Sequence, residues 1–174
     1  MSLGHIIVDG PDAVGKSTLG DFLNKKYNIG SVHSDASCKN DFEYHNNLLD
    51  CSTSTFYDRF MAGEYVYPKL YNRNAKLTVT EMEKLFNKII DTNSLYIIMN
   101  TSDVDILIRR LAERKEFNYF KEIKPQVQLF KDFAFIFELY FDKYDNFIYF
   151  DINQNNAYDR LYELVSNFIE RNKG

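Results

Sequence analysis

The segment Gly10-Pro11-Asp12-Ala13-Val14-Gly15-Lys16-Ser17 constrains this chain more than any other, because it fills every fixed position of the pattern GxxxxGK[ST]. Glycine is scarce, 7 in 174 residues, so composition alone does not place two at the required spacing. The flanks agree with the pattern. His5-Ile6-Ile7-Val8-Asp9 is a continuous apolar run that stops at Gly10, as a buried parallel strand does. Leu19, Phe22, Leu23 and Tyr27 follow at helical spacing, with Gly30 as the expected stop. A strand, a glycine-bearing loop and a helix together make an anion nest. Successive backbone N–H groups turn inward, and the helix N-terminus adds partial positive charge. The expected cofactors are ATP and Mg²⁺, held by Gly10, Asp12, Ala13, Val14, Gly15, Lys16, Ser17 and Thr18. Lys16 would reach the β- and γ-phosphate oxygens, and the Ser17 hydroxyl would ligate the metal.

The rest of the chain alternates strand-like and helix-like segments. Residues 31–34 read as a short strand, Asp41 to Leu49 as a helix, and Thr53 to Tyr57 as a strand ending in Asp58-Arg59. Thr80 with Glu83 spells a capping box before Met82, Leu85, Phe86, Ile89 and Ile90 at helical spacing. Leu95 to Met99 is another apolar run, and Val104, Leu107, Ile108 and Leu111 mark a helix that carries Arg109, Arg110 and Arg114. A Phe-rich helix is expected near Gln126 to Phe141, a last strand at Asn146 to Asp151, and a last helix from Ala157 to Ile169. Such alternation predicts one domain over residues 1–174, with a mostly parallel sheet covered on both faces.

Several function classes are disfavoured. A net charge of −4 lacks the basic face of a nucleic-acid-coating protein. No stretch approaches the roughly 18 apolar residues of a membrane span. Met1 to Val8 is too short an apolar run for a secretory signal, so a cytoplasmic location is expected. Cys38 and Cys51 read as reduced thiols, and His5, His33 and His45 stand in no metal-binding spacing. A guanine-reading NKxD segment is absent, since Asn100-Thr101-Ser102-Asp103 has Thr in place of the lysine. The Asp-Glu strand end of motor-type ATPases is absent too. Present instead is Asp58-Arg59 at a strand's carboxyl end, where side chains of open α/β sheets face the binding crevice.

At these residues the chain resembles a known family. Ile7 to Leu19 is similar to the opening of thymidylate kinases, Asp58-Arg59-Phe60 resembles their Asp-Arg-aromatic motif, and Arg109 to Arg114 resembles their arginine-bearing lid. The resemblance implies a P-loop kinase three-layer α/β sandwich of about five parallel strands, with a lid near residues 109–122. It implies phosphorylation of dTMP to dTDP by ATP, and a homodimer. It implies that Asp12 faces the sugar of the monophosphate and Arg59 grips the acceptor phosphate. Asp58 would then meet Mg²⁺-bound water or the acceptor. Ala13 stands where some members carry an arginine, so a lid arginine must supply the transition-state charge, from Arg109, Arg110 or Arg114. Arg110 and Arg114 are four apart on one helical face and can address one anion.

The chain also departs from that pattern. Val32-His33-Ser34-Asp35-Ala36-Ser37 replaces the usual Arg-Glu-Pro segment, and Gly63-Glu64-Tyr65-Val66-Tyr67-Pro68 replaces a Tyr-Gln segment, with Tyr65 and Tyr67 as candidates to stack on a base or to pack in the core. Two other readings stay open. One is a deoxynucleoside kinase, in which Asp58 takes the proton of a sugar 5′-hydroxyl. The other is a nucleotide-binding protein without catalysis.

Overall fold

The structure is a computed structural model that describes residues 4–141 and 144–172. Residues 1–3 of the N-terminal run lie outside the described residues. In chain order the elements are β1 (Ile6–Asp9), α1 (Lys16–Tyr27), β2 (Gly30–His33), α2 (Phe42–Leu49), β3 (Thr55–Asp58), α3 (Met61–Leu70), α4 (Val79–Asp91), β4 (Leu95–Asn100), α5 (Val104–Glu113), α6 (Phe120–Phe141), β5 (Phe147–Asp151) and α7 (Ala157–Asn172). A short 3-10 helix, Phe117–Tyr119, leads into α6. The strands form one sheet in the order β2-β3-β1-β4-β5, with every pair parallel. This is the expected five-stranded parallel sheet with helices on both faces.

Strand periodicity divides the core in two. Ile6, Val8, Leu95, Ile97 and Met99 point to one face, where α1, α5 and α7 supply Leu19, Leu23, Leu107, Leu111, Leu161 and Val165. Ile7, Tyr57, Tyr96 and Ile98 point to the other, against Leu49, Val66, Phe86, Phe130 and Phe137. The central strands β1 and β4 are apolar up to their last residues, Asp9 and Asn100, because both of their faces are covered. The register places Val8 beside Asp58, His33 beside Asp58, and Asp9 beside Ile98, so the polar strand ends gather at the carboxyl edge.

Local readings need five corrections. Asn28, not Gly30, takes the left-handed position that ends α1 (φ 55), and Gly30 opens β2. The capping box before α4 is Thr78 with Glu81, two residues earlier than Thr80 with Glu83. Both pairs satisfy the pattern, and the buried Leu77 just before Thr78 fixes which one caps. Helix α3 was not expected, because Pro68 and its aromatic neighbours mask the period; Pro68 lies in its last turn. Helix α6 begins at Phe120 rather than near Gln126 and carries Pro125 inside it. That proline gives up one intrahelical donor without ending the helix. The last helix runs on to Asn172.

His45 on α2 is fully buried, with its ring 4.5 Å from that of Phe60. Burial, the largest cause, lowers its pKa from 6.5 to about 4. The unfolded chain therefore binds a proton between pH 6.5 and 4 that the folded chain refuses, and stability contributed by neutral His45 above pH 6.5 is lost as pH falls through that window. The shift corresponds to about 3 kcal/mol. Urea unfolding of the wild type and His45→Phe at pH 7.5 and pH 4.5 tests this. The variant should gain on the wild type toward low pH by up to that amount, whatever its packing cost at pH 7.5. A difference independent of pH would contradict the assignment.

Candidate active site

The connection after β1 leads toward β2 on one side of the sheet, and that after β4 leads toward β5 on the other. This reversal opens a crevice at the strand ends, and the loop from Gly10 to Gly15 lies in it. Gly10 and Gly15 hold φ of 154° and 100°, and a Cβ would meet the Met99 carbonyl at the first and the Tyr158 hydroxyl at the second. Gly15 also caps α1 without a side chain, so the first turn keeps N–H groups for an anion. Lys16 is buried, and its Nζ donates to the Gly10 and Pro11 carbonyls at 2.9 Å each. Burial lowers its pKa, against the pull of Asp58. Ser17 and Thr18 are exposed on the same turn.

Ser17 Oγ donates to Asp58 Oδ2 over 3.5 Å, and His33 Nδ1 lies 3.1 Å from the same oxygen. Asp58 Oδ1 is buried with no hydrogen-bond partner among the described residues. A hydroxyl beside a carboxylate with an unused oxygen fits Mg²⁺, which takes few protein ligands and completes its shell with water and phosphate. Ser17 and Asp58 are the residues that could hold it.

Arg59 occupies left-handed backbone (φ 73) directly after β3, and its N–H donates to the Val8 carbonyl at 2.9 Å. Asp9 holds the following residues in place. Its Oδ1 accepts from Phe60 N at 2.9 Å, and its Oδ2 accepts from Ala62 N at 3.2 Å and from the Tyr96 hydroxyl at 2.7 Å. Asp9 is completely buried, and burial raises its pKa while these donors oppose the rise. Arg59 Nη2 donates to Asp12 Oδ1 at 2.8 Å, and its guanidinium lies 5.4 Å from the centre of the Tyr67 ring. Gln126, buried on α6, makes two bonds to Asp12. Its Nε2 donates to Oδ2 and its Oε1 accepts from the backbone N, both at 3.0 Å. Asp12 thus reaches Arg59 as a clamped group.

The three candidate arginines separate. Arg109 is exposed, with Nε on the Asp105 carbonyl of its own helix. Arg110 Nη1 donates to the Ala13 carbonyl at 3.1 Å and to the Tyr158 hydroxyl at 2.8 Å, while that hydroxyl donates to the Val14 carbonyl at 2.8 Å. Arg114 ends α5 and lines a cavity of about 690 Å³ together with Asp12, Ala13, Arg59, Tyr67 and Tyr119. The expected lid region thus comprises the end of α5, the turn at Arg114 to Glu116, the 3-10 helix and the start of α6. Tyr67 lines the cavity, whereas the ring of Tyr65 packs near Phe133, 5.5 Å between centres.

Three residues escaped the sequence reading. In the sequence Asp9 is only the end of an apolar run; its signal is a charge closing an otherwise buried strand. Gln126 and Tyr158 lie on helices far along the chain, and nothing local marks them as partners of the loop. Among the described residues no helix is long and apolar enough to cross a membrane.

No protein-family model matches the chain. No curated protein sequence matches it either. Solved structures do match. YorR from Bacillus subtilis, in complex with phosphorylated GDP, superposes with a TM-score of 0.76 at 22% identity over 95% of both chains. A gluconokinase from Sinorhizobium meliloti 1021 superposes with a TM-score of 0.61 at 11% identity, over 97% of this chain and 95% of the other. Deoxyadenosine kinase from M. mycoides, with products dCMP and a flexible dCDP bound, gives 0.60 at 15% identity, over 97% of this chain and all of its own. The chain therefore has the fold shared by these three proteins.

Proposed function

We propose that this protein is an ATP-dependent nucleoside monophosphate kinase. The observation that carries the reading is Arg59, fixed by Asp12 at the wall of a cavity that adjoins the phosphate loop. An arginine that is oriented before any ligand arrives is suited to grip a phosphate through its planar fork. Arg114 lines the same cavity and adds to its affinity for an anion. YorR and the M. mycoides deoxyadenosine kinase were both solved with nucleotides, which supports a nucleotide in this crevice as well. Thymidylate is the acceptor that the sequence resemblance favours.

In this reading ATP lays its phosphates on the N–H groups of the loop from Gly10 to Ser17. Lys16 leaves the Gly10 and Pro11 carbonyls to reach the β- and γ-phosphates. Mg²⁺, when bound, neutralises charge on those phosphates. An oxygen of the acceptor's phosphate, held by Arg59, attacks the γ-phosphorus in line, and the bond to ADP breaks. The transition state is loose and anionic, so positioning and charge dominate and no strong base is needed. Arg110 braces the loop through Ala13 and Tyr158, which leaves Arg114 as the arginine that meets the transferring group when the lid closes and excludes water. Asp58 faces Ser17 and His33, an orientation that suits the metal side better than deprotonation of a nucleoside.

Two sets of variants test the roles. Lys16→Ala should abolish ADP formation while the circular dichroism spectrum and melting cooperativity persist. Retained turnover would remove the loop from the mechanism. Arg114→Ala should lower kcat by about 10³-fold or more, the range of a transition-state arginine. Arg110→Ala should mainly raise KM for ATP. A loss below about tenfold in kcat for Arg114→Ala would contradict the assignment.

The class itself is tested by product identity. Mg-ATP with a monophosphate should yield a nucleoside diphosphate and ADP, whereas conversion of nucleosides alone would restore Asp58 as proton acceptor.

A further inference from the structure

The cavity wall formed by α3 and the loop after it carries groups that phosphate transfer does not use. Glu64 lies in the first turns of α3, is 3% exposed, and lines the cavity. A carboxylate so buried is costly unless its oxygens find donors. Its Oε2 accepts from Lys76 N at 3.1 Å, but the ion-pair partner of Oε1, Arg73 Nη2, stands 3.9 Å away, beyond hydrogen-bond range. Arg73 lines the same cavity. One helical turn from Glu64, the Tyr67 hydroxyl is buried with no hydrogen-bond partner among the described residues. One wall therefore offers free acceptor capacity on a carboxylate, a guanidinium fork and an unsatisfied hydroxyl.

We propose that Glu64 and Arg73 read the base of the acceptor, and that the base they fit is guanine. The proposal rests on the monophosphate-kinase reading and replaces thymine in it. The edge of guanine presents N1–H and the exocyclic N2 amine side by side, which suits the two oxygens of one carboxylate, with O6 adjacent as an acceptor for Arg73. Thymine and uracil offer a single N–H between two carbonyl oxygens. A carboxylate that accepts this N–H sets its second oxygen against a carbonyl, leaving two acceptors face to face. Adenine and cytosine offer an amine, but the ring nitrogen beside it is an acceptor and also opposes the carboxylate.

The test measures ADP formation from Mg-ATP by the wild type and Glu64→Gln with GMP, dGMP, IMP, dTMP, AMP and CMP. IMP keeps N1–H and O6 and lacks only the N2 amine. Glu64→Gln keeps an oxygen for Lys76 N, so the fold of the wall is retained. The wild type should favour GMP or dGMP over IMP and over dTMP by roughly ten- to a hundredfold in kcat/KM, the worth of a hydrogen bond to a charged group. Glu64→Gln should bring the GMP to IMP ratio close to one. A wild-type ratio near one, a preference for dTMP, or an unchanged ratio in the variant would overturn the guanine inference while leaving the kinase reading in place. Absence of ADP formation with every monophosphate would contradict the kinase reading on which it rests. The wild-type ratio stands as a test even if the variant fails to fold.

Discussion

One buried carboxylate organises the carboxyl edge of the sheet in this molecule. Asp9 closes β1 and accepts from Phe60 N and Ala62 N just beyond β3 and from the hydroxyl of Tyr96 on β4, so it links three neighbouring strands through one carboxylate. A charge removed from water must find donors locally, and these three supply them. The result is a fixed exit from β3. Arg59 is held at positive φ, its N–H stays on the β1 ladder, and its side chain is directed to Asp12. The loop that follows Asp9 is the one from Gly10 to Gly15, so that loop and Arg59 share one anchor.

The loop is braced from behind as well. Tyr158 on α7 and Arg110 on α5 hold the carbonyls of Val14 and Ala13, and Gln126 on α6 holds Asp12. A strained segment with Ala13 at φ 62 persists because groups on three separate helices over-determine it. Preorganisation of this kind suits phosphoryl transfer, in which placing charges in advance does most of the chemical work.

The sequence made the sheet, the phosphate loop and Asp58-Arg59 legible because each is a local pattern with a physical cause: an apolar run, scarce glycines at fixed spacing, a charged pair closing a strand. What it concealed is long-range. Gln126 and Asp12 are 114 positions apart, and no periodicity relates them. Glu64 stood in a segment noted only for its difference from a known family, and its burial appears once α3 is seen as a helix. Proline misled twice, because Pro68 and Pro125 sit inside helices that tolerate one missing donor. The departures from the thymidylate kinase pattern around residues 63–68 fall on the cavity wall that carries Glu64 and Tyr67.

The central claim is that the acceptor enters already phosphorylated and is held by Arg59. Calorimetric titration of the protein with a preferred monophosphate and with its parent nucleoside, in the wild type and Arg59→Ala, tests it most directly. The account predicts that the wild type binds the monophosphate far more tightly than the nucleoside, and that Arg59→Ala abolishes the difference with little effect on the nucleoside. Equal affinity of the wild type for the two ligands, or a difference that survives in Arg59→Ala, would contradict it.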